Sequence, residues 1–291
     1  MARTAAPLLP LAAMVAAMAS FQIGAAIAKG LFPEIGLLGT AALRFGLSAL
    51  MLLAILRPWR VRAGRGPVAA VIALGCSMAM AVICFYSAIQ RLPLAIAIAL
   101  QFLGPLAVAI GASRRPSDLL WAMLAGLGVW MLTAAGGAAS GLDLVGVLFA
   151  LAAAVGWAAY IILGRVAGAG LGSAAAALAV STGAVITLPI GLLQAGGALF
   201  APEHLPRALT VAVLSSALPF TLELYAMARL PSRTFAVFTC LEPAFAVLVG
   251  LIVLHERLAL TQLAGVAIVI AGAAGAAWSA GRASPTEAPI S

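Results

Sequence analysis

Three ionisable side chains lie deep inside long apolar runs of this sequence: Arg44, Glu223 and Glu242. If these runs cross a lipid bilayer, a charge near the centre of a helix costs roughly 2.5 to 3.5 kcal/mol on insertion scales. Each group then needs an oppositely charged partner or a water-filled cavity. We therefore expect the three residues to line a path for a polar solute. The alternative is that Arg44 pairs with one glutamate only to hold helices together.

The two glutamates point to proton exchange. A carboxyl group in a cavity of low dielectric constant takes up a proton more readily than it does in water, so it can hold a proton and a substrate cation in turn. Glu242 lies near the middle of its run, whereas Glu223 is closer to an end, where a side chain reaches water more easily. Glu242 is therefore the first candidate for proton coupling and Glu223 the second.

Arg44 is the candidate for binding a carboxylate. Its planar guanidinium matches a carboxylate in two parallel hydrogen bonds. A zwitterionic solute would then bridge two protein charges, with its carboxylate at Arg44 and its ammonium at Glu223 or Glu242.

Two prolines, Pro105 and Pro243, stand inside apolar runs. Proline cannot donate a hydrogen bond to the carbonyl four residues back, so it kinks a helix and leaves the carbonyls of Gln101 and Thr239 free. Such carbonyls suit a polar substrate, although kinked packing alone is an equally good explanation. Gln22 is a further polar residue inside a run. Both glutamines could contact the substrate or form hydrogen bonds between helices.

Composition places these residues in an all-α membrane protein. Of the 291 residues 65% are hydrophobic and 8% are charged, and the mean hydropathy is +1.18. Lipid is the solvent that tolerates this composition. Polar breaks divide the chain into ten apolar segments, the first of which we interpret as a retained helix rather than a cleaved leader. The predicted segments are 8–28, 36–56, 67–89, 94–113, 118–135, 142–164, 172–195, 208–228, 234–254 and 259–280.

The net charge of +8 comes from basic residues whose positions are typical of membrane topology signals and not of a nucleic-acid-binding surface. Eleven lysines and arginines fall in the gaps on one side of the predicted membrane and four on the other. Because cytoplasmic loops carry the excess of positive charge, both termini are predicted to be cytoplasmic, with the loop around Glu203 and His204 outside. We expect no nucleic-acid partner. The basic residues predicted to be outside are Lys29, Arg91, Arg207 and Arg257.

The two halves of the chain repeat, which predicts a first unit at 1–137, a second at 138–282 and a cytoplasmic tail at 283–291. Five segments per half is an odd number, so the second half must enter the membrane from the opposite side. Inverted repeats of this kind carry a substrate site between the halves. The matches are Arg91-Leu92-Pro93 with Arg229-Leu230-Pro231, Leu103-Gly104-Pro105 with Leu241-Glu242-Pro243, Asp118 with Glu256, Phe21 with Trp157, and Lys29 with Arg165.

The stretch Glu242-Pro243-Ala244, followed by Gly250 and Leu254-His255-Glu256-Arg257-Leu258, resembles the EamA-type drug/metabolite transporters. The resemblance implies a cavity lined by helices of both halves, with the fifth and tenth at the periphery, and an exporter of amino acids or related metabolites. The sequence departs from the family pattern at Gly104, because this first-half equivalent of Glu242 is not an acid. Further stretches resemble bacterial inner-membrane exporters of threonine and homoserine: Met18–Gln22, Ala42–Arg44, Arg114–Pro116, Ser215–Leu222 and Ala228–Pro231.

The expected function is therefore secondary, proton-coupled export of small amino acids across a bacterial cytoplasmic membrane. No GxxxxGK[ST] sequence occurs, so we expect no use of ATP by this chain, and no cofactor or metal. Exporters of other metabolites or cationic drugs are the alternative, and a non-transport scaffold is a weaker one. An enzyme would need clustered acids, a Ser/His pair or metal-ligand spacing.

Small residues on the last segment predict close helix packing, either within the chain or across a homodimer. They are Ala267, Ala271 and Gly275. The two histidines, His204 and His255, are expected to be solvated loop residues.

Overall fold

In the computed structural model, residues 8–60, 65–111, 116–134, 143–171, 174–227, 229–230 and 232–280 are described. Every regular element in these ranges is helical. Four helical stretches are long and apolar enough to cross a bilayer, and five shorter apolar helices accompany them. The chain is thus an all-α membrane protein, as its composition predicted. The four long stretches are Leu8–Leu56, Val68–Arg91, Leu144–Ala169 and Ala174–Phe200.

The first helix, α1 (Leu8–Leu56), is a hairpin of two arms that meet at Gly36. The Arg44 guanidinium carbon lies 5.3 Å from the centre of the Phe21 ring, whereas in a straight helix these residues would be about 35 Å apart. Gly36 has φ 73° and ψ 165°, a conformation that only glycine adopts without strain. A side chain there would also strike Gln194, whose Oε1 accepts a 2.9 Å hydrogen bond from the Leu38 N–H.

The remaining helices follow in chain order. A 3₁₀ turn at Pro58–Arg60 leads to α2 (Arg65–Arg91), α3 (Leu94–Gln101), α4 (Leu103–Gly111), α5 (Pro116–Ala134), α6 (Leu144–Leu171) and α7 (Ala174–Ala195). After a second 3₁₀ turn at Gly196–Phe200 come α8 (Leu205–Ala212), a π-helical segment (Val213–Ala217), α9 (Leu218–Met227), α10 (Ser232–Thr239), α11 (Glu242–Ile252) and α12 (Leu260–Ala280).

Several predicted segment boundaries are wrong. Segments 94–113, 208–228 and 234–254 are not continuous α-helices, because each is interrupted just before a proline: Pro105, Pro219 or Pro243. Proline removes one helical hydrogen bond and crowds the preceding turn, which loosens the helix there. The first arm of α1 also continues past residue 28, so Lys29 belongs to a helix and not to a loop.

The helices pack chiefly in pairs: the second arm of α1 with α7, α2 with α6, and α5 with α12. Small residues allow the last pair to approach closely, since a Cβ at Gly128 would lie 2.8 Å from the Gly265 carbonyl oxygen. Of the predicted packing stripe on α12, only Gly275 faces α5, where a Cβ would strike the Trp121 ring. Gly265 and Gly272 also face α5, whereas Ala267 and Ala271 are exposed.

An ionic cluster joins the end of the first arm of α1 to the start of α8. His204 Nδ1 lies 2.9 Å from Glu34 Oε2, and Arg207 pairs with the other oxygen of the same carboxylate. Only 9% of His204 is exposed, so the prediction that it is solvated was wrong. His255 is exposed as expected.

Candidate functional site

A cavity of about 640 Å³ lies between α1, α4, α6, α9, α10, α11 and α12. The last of these helices, expected at the periphery, contributes Ala273 to the lining. Its wall combines residues far apart in sequence. Phe21 comes from the first arm of α1, Pro105 from α4, and Trp157 from α6, while the second half supplies Glu223 and Glu242. Of the residues predicted to bind solute, Glu223, Glu242 and Thr239 line this cavity.

The two carboxyl groups of the cavity lie close enough to interact electrostatically with each other. Glu223 projects from α9 and interacts in the same way with the Tyr160 hydroxyl. Glu242 is the first residue of α11, directly after the helix break at Cys240 and Leu241. The partial positive charge of a helix N-terminus favours an anion at that position. The break therefore places one carboxyl group at a cavity-facing helix end.

Aromatic rings form much of the remaining wall. Trp157 and Tyr160 stack with ring centres 4.8 Å apart and an interplanar angle of 13°. Phe21, Phe102 and Phe235 also border the cavity. The faces of aromatic rings attract cations. Together with two carboxyl groups, they make the cavity suitable for a solute that carries an ammonium group.

One cationic side chain, Arg165, also lines the cavity. It shares a face of α6 with Trp157 and Ile161, at the four-residue spacing that aligns side chains along a helix. Its guanidinium has no hydrogen-bond or ion-pair partner among the described residues. In the sequence, Arg165 is a topology signal and the repeat match of Lys29. Its spacing from Trp157 is the signal that could have identified it.

Arg44 lies behind the cavity wall and not in the cavity. It is 7% exposed, and its guanidinium donates to the Ser215 carbonyl oxygen at 3.1 Å and to the Tyr86 hydroxyl at 3.3 Å. The same group stacks over the Phe21 ring. In the described part of the chain no carboxylate pairs with it. Arg44 thus reaches the cavity only through Phe21 and Ser215, which do line it.

Pro219 has no N–H to donate to the preceding turn and so leaves that turn short of a donor, and the Ser215 carbonyl accepts from Arg44. The π-helical segment and the last residue of α8 offer further carbonyls to α1. Ser20 donates to the Leu214 oxygen at 2.8 Å, and Ser48 donates to the Ala212 oxygen at 3.5 Å. A Cβ at Gly24 would lie 2.3 Å from Ser215 Oγ, so only glycine permits this approach. A polar seam therefore fixes α1 to the second half.

Comparison with known proteins shows which family the chain belongs to. The model of the EamA-like transporter family matches residues 144–278. The threonine/homoserine exporters RhtA of Escherichia coli (strain K12) and Salmonella typhimurium (strain LT2) are each 45% identical over 267 residues, which is 92% of this chain and 90% of theirs. The chain belongs to the EamA-like transporter family. A crystal structure of an 18% identical protein has the same fold, with a TM-score of 0.59 over 97% of this chain and 99% of that one.

Two predicted solute ligands of this EamA-like transporter, Gln22 and Gln101, are not among the cavity-lining residues. Gln22 is fully buried, and neither of its amide atoms has a hydrogen-bond partner within the described ranges. The same holds for the side-chain oxygen of Gln101. Pro105 borders the cavity, and the helix is interrupted between Gln101 and Leu103. The equivalent interruption near Pro243 separates Thr239 from Glu242.

The absence of an acid at Gly104, the repeat equivalent of Glu242, has a steric cause. A Cβ at Gly104 would lie 2.1 Å from the backbone oxygen of Ala154, because α4 and α6 touch there. No side chain fits without moving a helix backbone. The EamA-like chain therefore carries this acid in its second half only.

An ion pair between Lys29 and Glu256 lies at the opposite end of α6 from Arg165. Lys29 Nζ is 2.7 Å from Glu256 Oε1, and Glu256 Oε2 accepts a 2.8 Å hydrogen bond from the Leu94 N–H at the start of α3. Lys29 also donates to the Leu92 carbonyl at 3.4 Å. A Cβ at Gly146, near the start of α6, would touch Leu92, and Arg165 follows about 29 Å further along that helix. The pair therefore ties α1, α3 and the end of α11 together away from the cavity.

Proposed function

We propose that this chain exports small zwitterionic amino acids of the threonine and homoserine type through the cavity. The observation that carries the proposal is the 45% identity, over 92% of the chain, to exporters named for those two substrates. The cavity supports it, because two carboxyl groups and several aromatic rings suit an ammonium group.

In this proposal Glu223 binds the substrate ammonium beside Tyr160, and Thr239 offers its hydroxyl oxygen to a polar substrate side chain. The Thr239 hydroxyl proton is directed to the Phe235 carbonyl at 2.9 Å, which leaves the oxygen as an acceptor. Arg44 holds helices together through the Tyr86 hydroxyl and the Ser215 carbonyl, and not through the pairing with a glutamate that the sequence offered as the alternative. Gln22 and Gln101, which stand outside the cavity lining, are assigned to helix packing.

We further propose that Glu242 couples export to protons, with Glu223 as its partner. The two carboxyl groups interact, so a proton or a cation at one changes the charge felt by the other. Substrate ammonium and proton would then occupy the pair in turn. This alternation is the minimum that an exchange of solute for protons requires.

The architecture we propose is ten segments in two inverted repeats, at 1–137 and 138–282. Division of α1 at Gly36, and the joining of α3 with α4, of α8 with α9 and of α10 with α11, gives ten segments. Repeat-equivalent residues also meet at one cavity: Phe21 with Trp157, and Phe102 with Cys240. The family model match at 144–278 falls within the proposed second half. The tail at 283–291 lies outside the described residues, and a homodimer stays a prediction of the small-residue pattern.

We propose that both termini face the cytoplasm and that the membrane is the bacterial cytoplasmic one. The eleven-to-four distribution of cations outside the predicted apolar segments supports this orientation. Reporter fusions after the second, fourth, sixth and eighth segments are all expected to report a cytoplasmic location. An external signal at any two of these positions would contradict the orientation.

A second candidate, export of organic cations, is favoured by the aromatic wall and the two carboxyl groups. The two candidate functions predict different phenotypes for cells that overproduce the chain. Overproduction of this chain is expected to raise tolerance to excess threonine and homoserine several-fold, to lower their internal concentrations, and to leave tolerance to cationic dyes unchanged. Dye tolerance without amino-acid tolerance would replace the first candidate with the second.

A further inference from the structure

A solvent-exposed arginine borders the cavity, and neither the fold nor the ion pairs of the described residues explain its place there. Arg165 borders the same space as Glu223 and Glu242, and it has no partner within the described ranges. We propose that Arg165 binds the carboxylate of the exported amino acid. The inference rests on the proposed function, because it concerns the second charge of the same zwitterionic substrate.

The position of Arg165 suits this role. It follows Tyr160 by five residues, about 7.5 Å along the axis of α6, and Tyr160 interacts with Glu223. Arg165 lies one turn beyond Ile161 and two turns beyond Trp157 on the same face of α6, and all three line the cavity. An α-amino acid carries its ammonium and carboxylate on one carbon. A substrate whose ammonium is held at Glu223 therefore presents its carboxylate to the same cavity that Arg165 lines.

The other cations near the helix interior are already engaged. Arg44 uses its guanidinium on the Ser215 carbonyl and the Tyr86 hydroxyl, behind the wall. Lys29, which matches Arg165 in the repeat, pairs with Glu256 at the far end of the helices. Arg165 is thus the cation that combines access to the cavity with a free guanidinium among the described residues. A guanidinium fork also matches a carboxylate in two hydrogen bonds.

The competing explanation is that Arg165 serves only as a positive charge on the cytoplasmic side, near lipid phosphates. The two explanations differ in what the variants should do. A topology signal depends on charge alone and makes no distinction between ligands. A carboxylate ligand affects only solutes that have a carboxylate, and it depends on the shape of the cation as well.

The test is equilibrium binding of threonine and of threonine amide to the purified full-length chain in lipid nanodiscs. Arg165→Gln is expected to weaken threonine binding by about tenfold or more, since it removes hydrogen bonds from a charged donor to a charged acceptor. Binding of the amide, which has no carboxylate, should change less than about twofold on the same basis. Arg165→Lys should bind threonine with an affinity between those of wild type and Arg165→Gln. Arg257→Gln, at an exposed arginine outside the cavity, is the matched control and should resemble wild type.

Equal losses for both ligands, or unchanged threonine binding by Arg165→Gln, would overturn the inference and leave the proposed function intact. Absence of saturable threonine binding to the wild-type chain would overturn both. If Arg165→Gln does not yield folded protein, Arg165→Lys decides the question, because it keeps the charge and loses the two-pronged geometry. Selective weakening of threonine binding supports the inference, and equal affinities of this variant and wild type for threonine overturn it.

Discussion

The substitution Glu242→Gln is expected to abolish solute export driven by a pH gradient while threonine binding stays measurable. Glutamine preserves the size of the side chain and its place at the first turn of α11, but it cannot release or accept a proton. The neighbouring Glu223 still offers a carboxylate to the substrate ammonium. This variant should therefore bind threonine but not use a proton gradient to drive its export.

The measurement is uptake of threonine against its gradient into inside-out vesicles, with an imposed proton gradient as the only driving force. Glu203→Gln is the matched control, because Glu203 is exposed and lies outside the cavity. We expect uptake at background level for Glu242→Gln and at the wild-type rate for the control. If Glu242→Gln concentrates threonine as wild type does, the assignment to Glu242 is wrong, and Glu223 becomes the candidate.

The substitution Glu256→Gln is expected to give a large loss of stability. It removes the charge opposite Lys29 but retains an oxygen that can accept the Leu94 N–H. Removal of one partner from a buried pair costs about 3 to 5 kcal/mol, whereas exposed pairs contribute at most about 1 kcal/mol. The side chains of this pair are 25% and 11% exposed. We therefore expect a loss of about 2 kcal/mol, intermediate between those limits.

The matched control is Asp143→Asn, which breaks the exposed Arg91–Asp143 pair of the same 2.7 Å length. A hydrogen bond from Arg91 holds the pKa of Asp143 below its usual value, so this pair is ionised at neutral pH. Thermal unfolding in detergent should show a clearly larger decrease in Tm for Glu256→Gln than for Asp143→Asn. The exchanged pair Lys29→Glu with Glu256→Lys should recover part of the loss. Equal decreases in Tm for the two single variants would show that the Lys29–Glu256 pair contributes no more to stability than the exposed Arg91–Asp143 pair.

The sequence was most informative where a residue type is rare in its surroundings. Carboxyl groups are so costly inside apolar helices that Glu223 and Glu242 could be chosen by position alone, and both line the cavity. The prolines similarly pointed to the regions where α3 and α10 end. Composition was sufficient to predict an all-helical membrane protein, since lipid is the solvent in which so apolar a chain is stable.

The sequence could not show which face of a helix a side chain occupies. Arg44 and Arg165 both lie in or beside apolar segments, but α1 buries Arg44 behind the wall, whereas α6 places the exposed Arg165 at the border of the cavity. Tertiary contacts also decided the details of α1. Its hairpin depends on Gly36 and on Gln194 from α7, and the helical position of Lys29 accompanies an ion pair with a residue 227 positions away. No local pattern contains such contacts.

The central claim is that the purified chain moves threonine and homoserine by itself. Its most direct test is counterflow in proteoliposomes that contain only this protein and are preloaded with unlabelled threonine. We predict that external labelled threonine accumulates transiently above its equilibrium level, that homoserine inside supports the same overshoot, and that an organic cation inside does not. Empty liposomes and liposomes containing a denatured sample provide the baseline. Equilibration at the rate of empty liposomes, with no overshoot for either amino acid, would contradict the account.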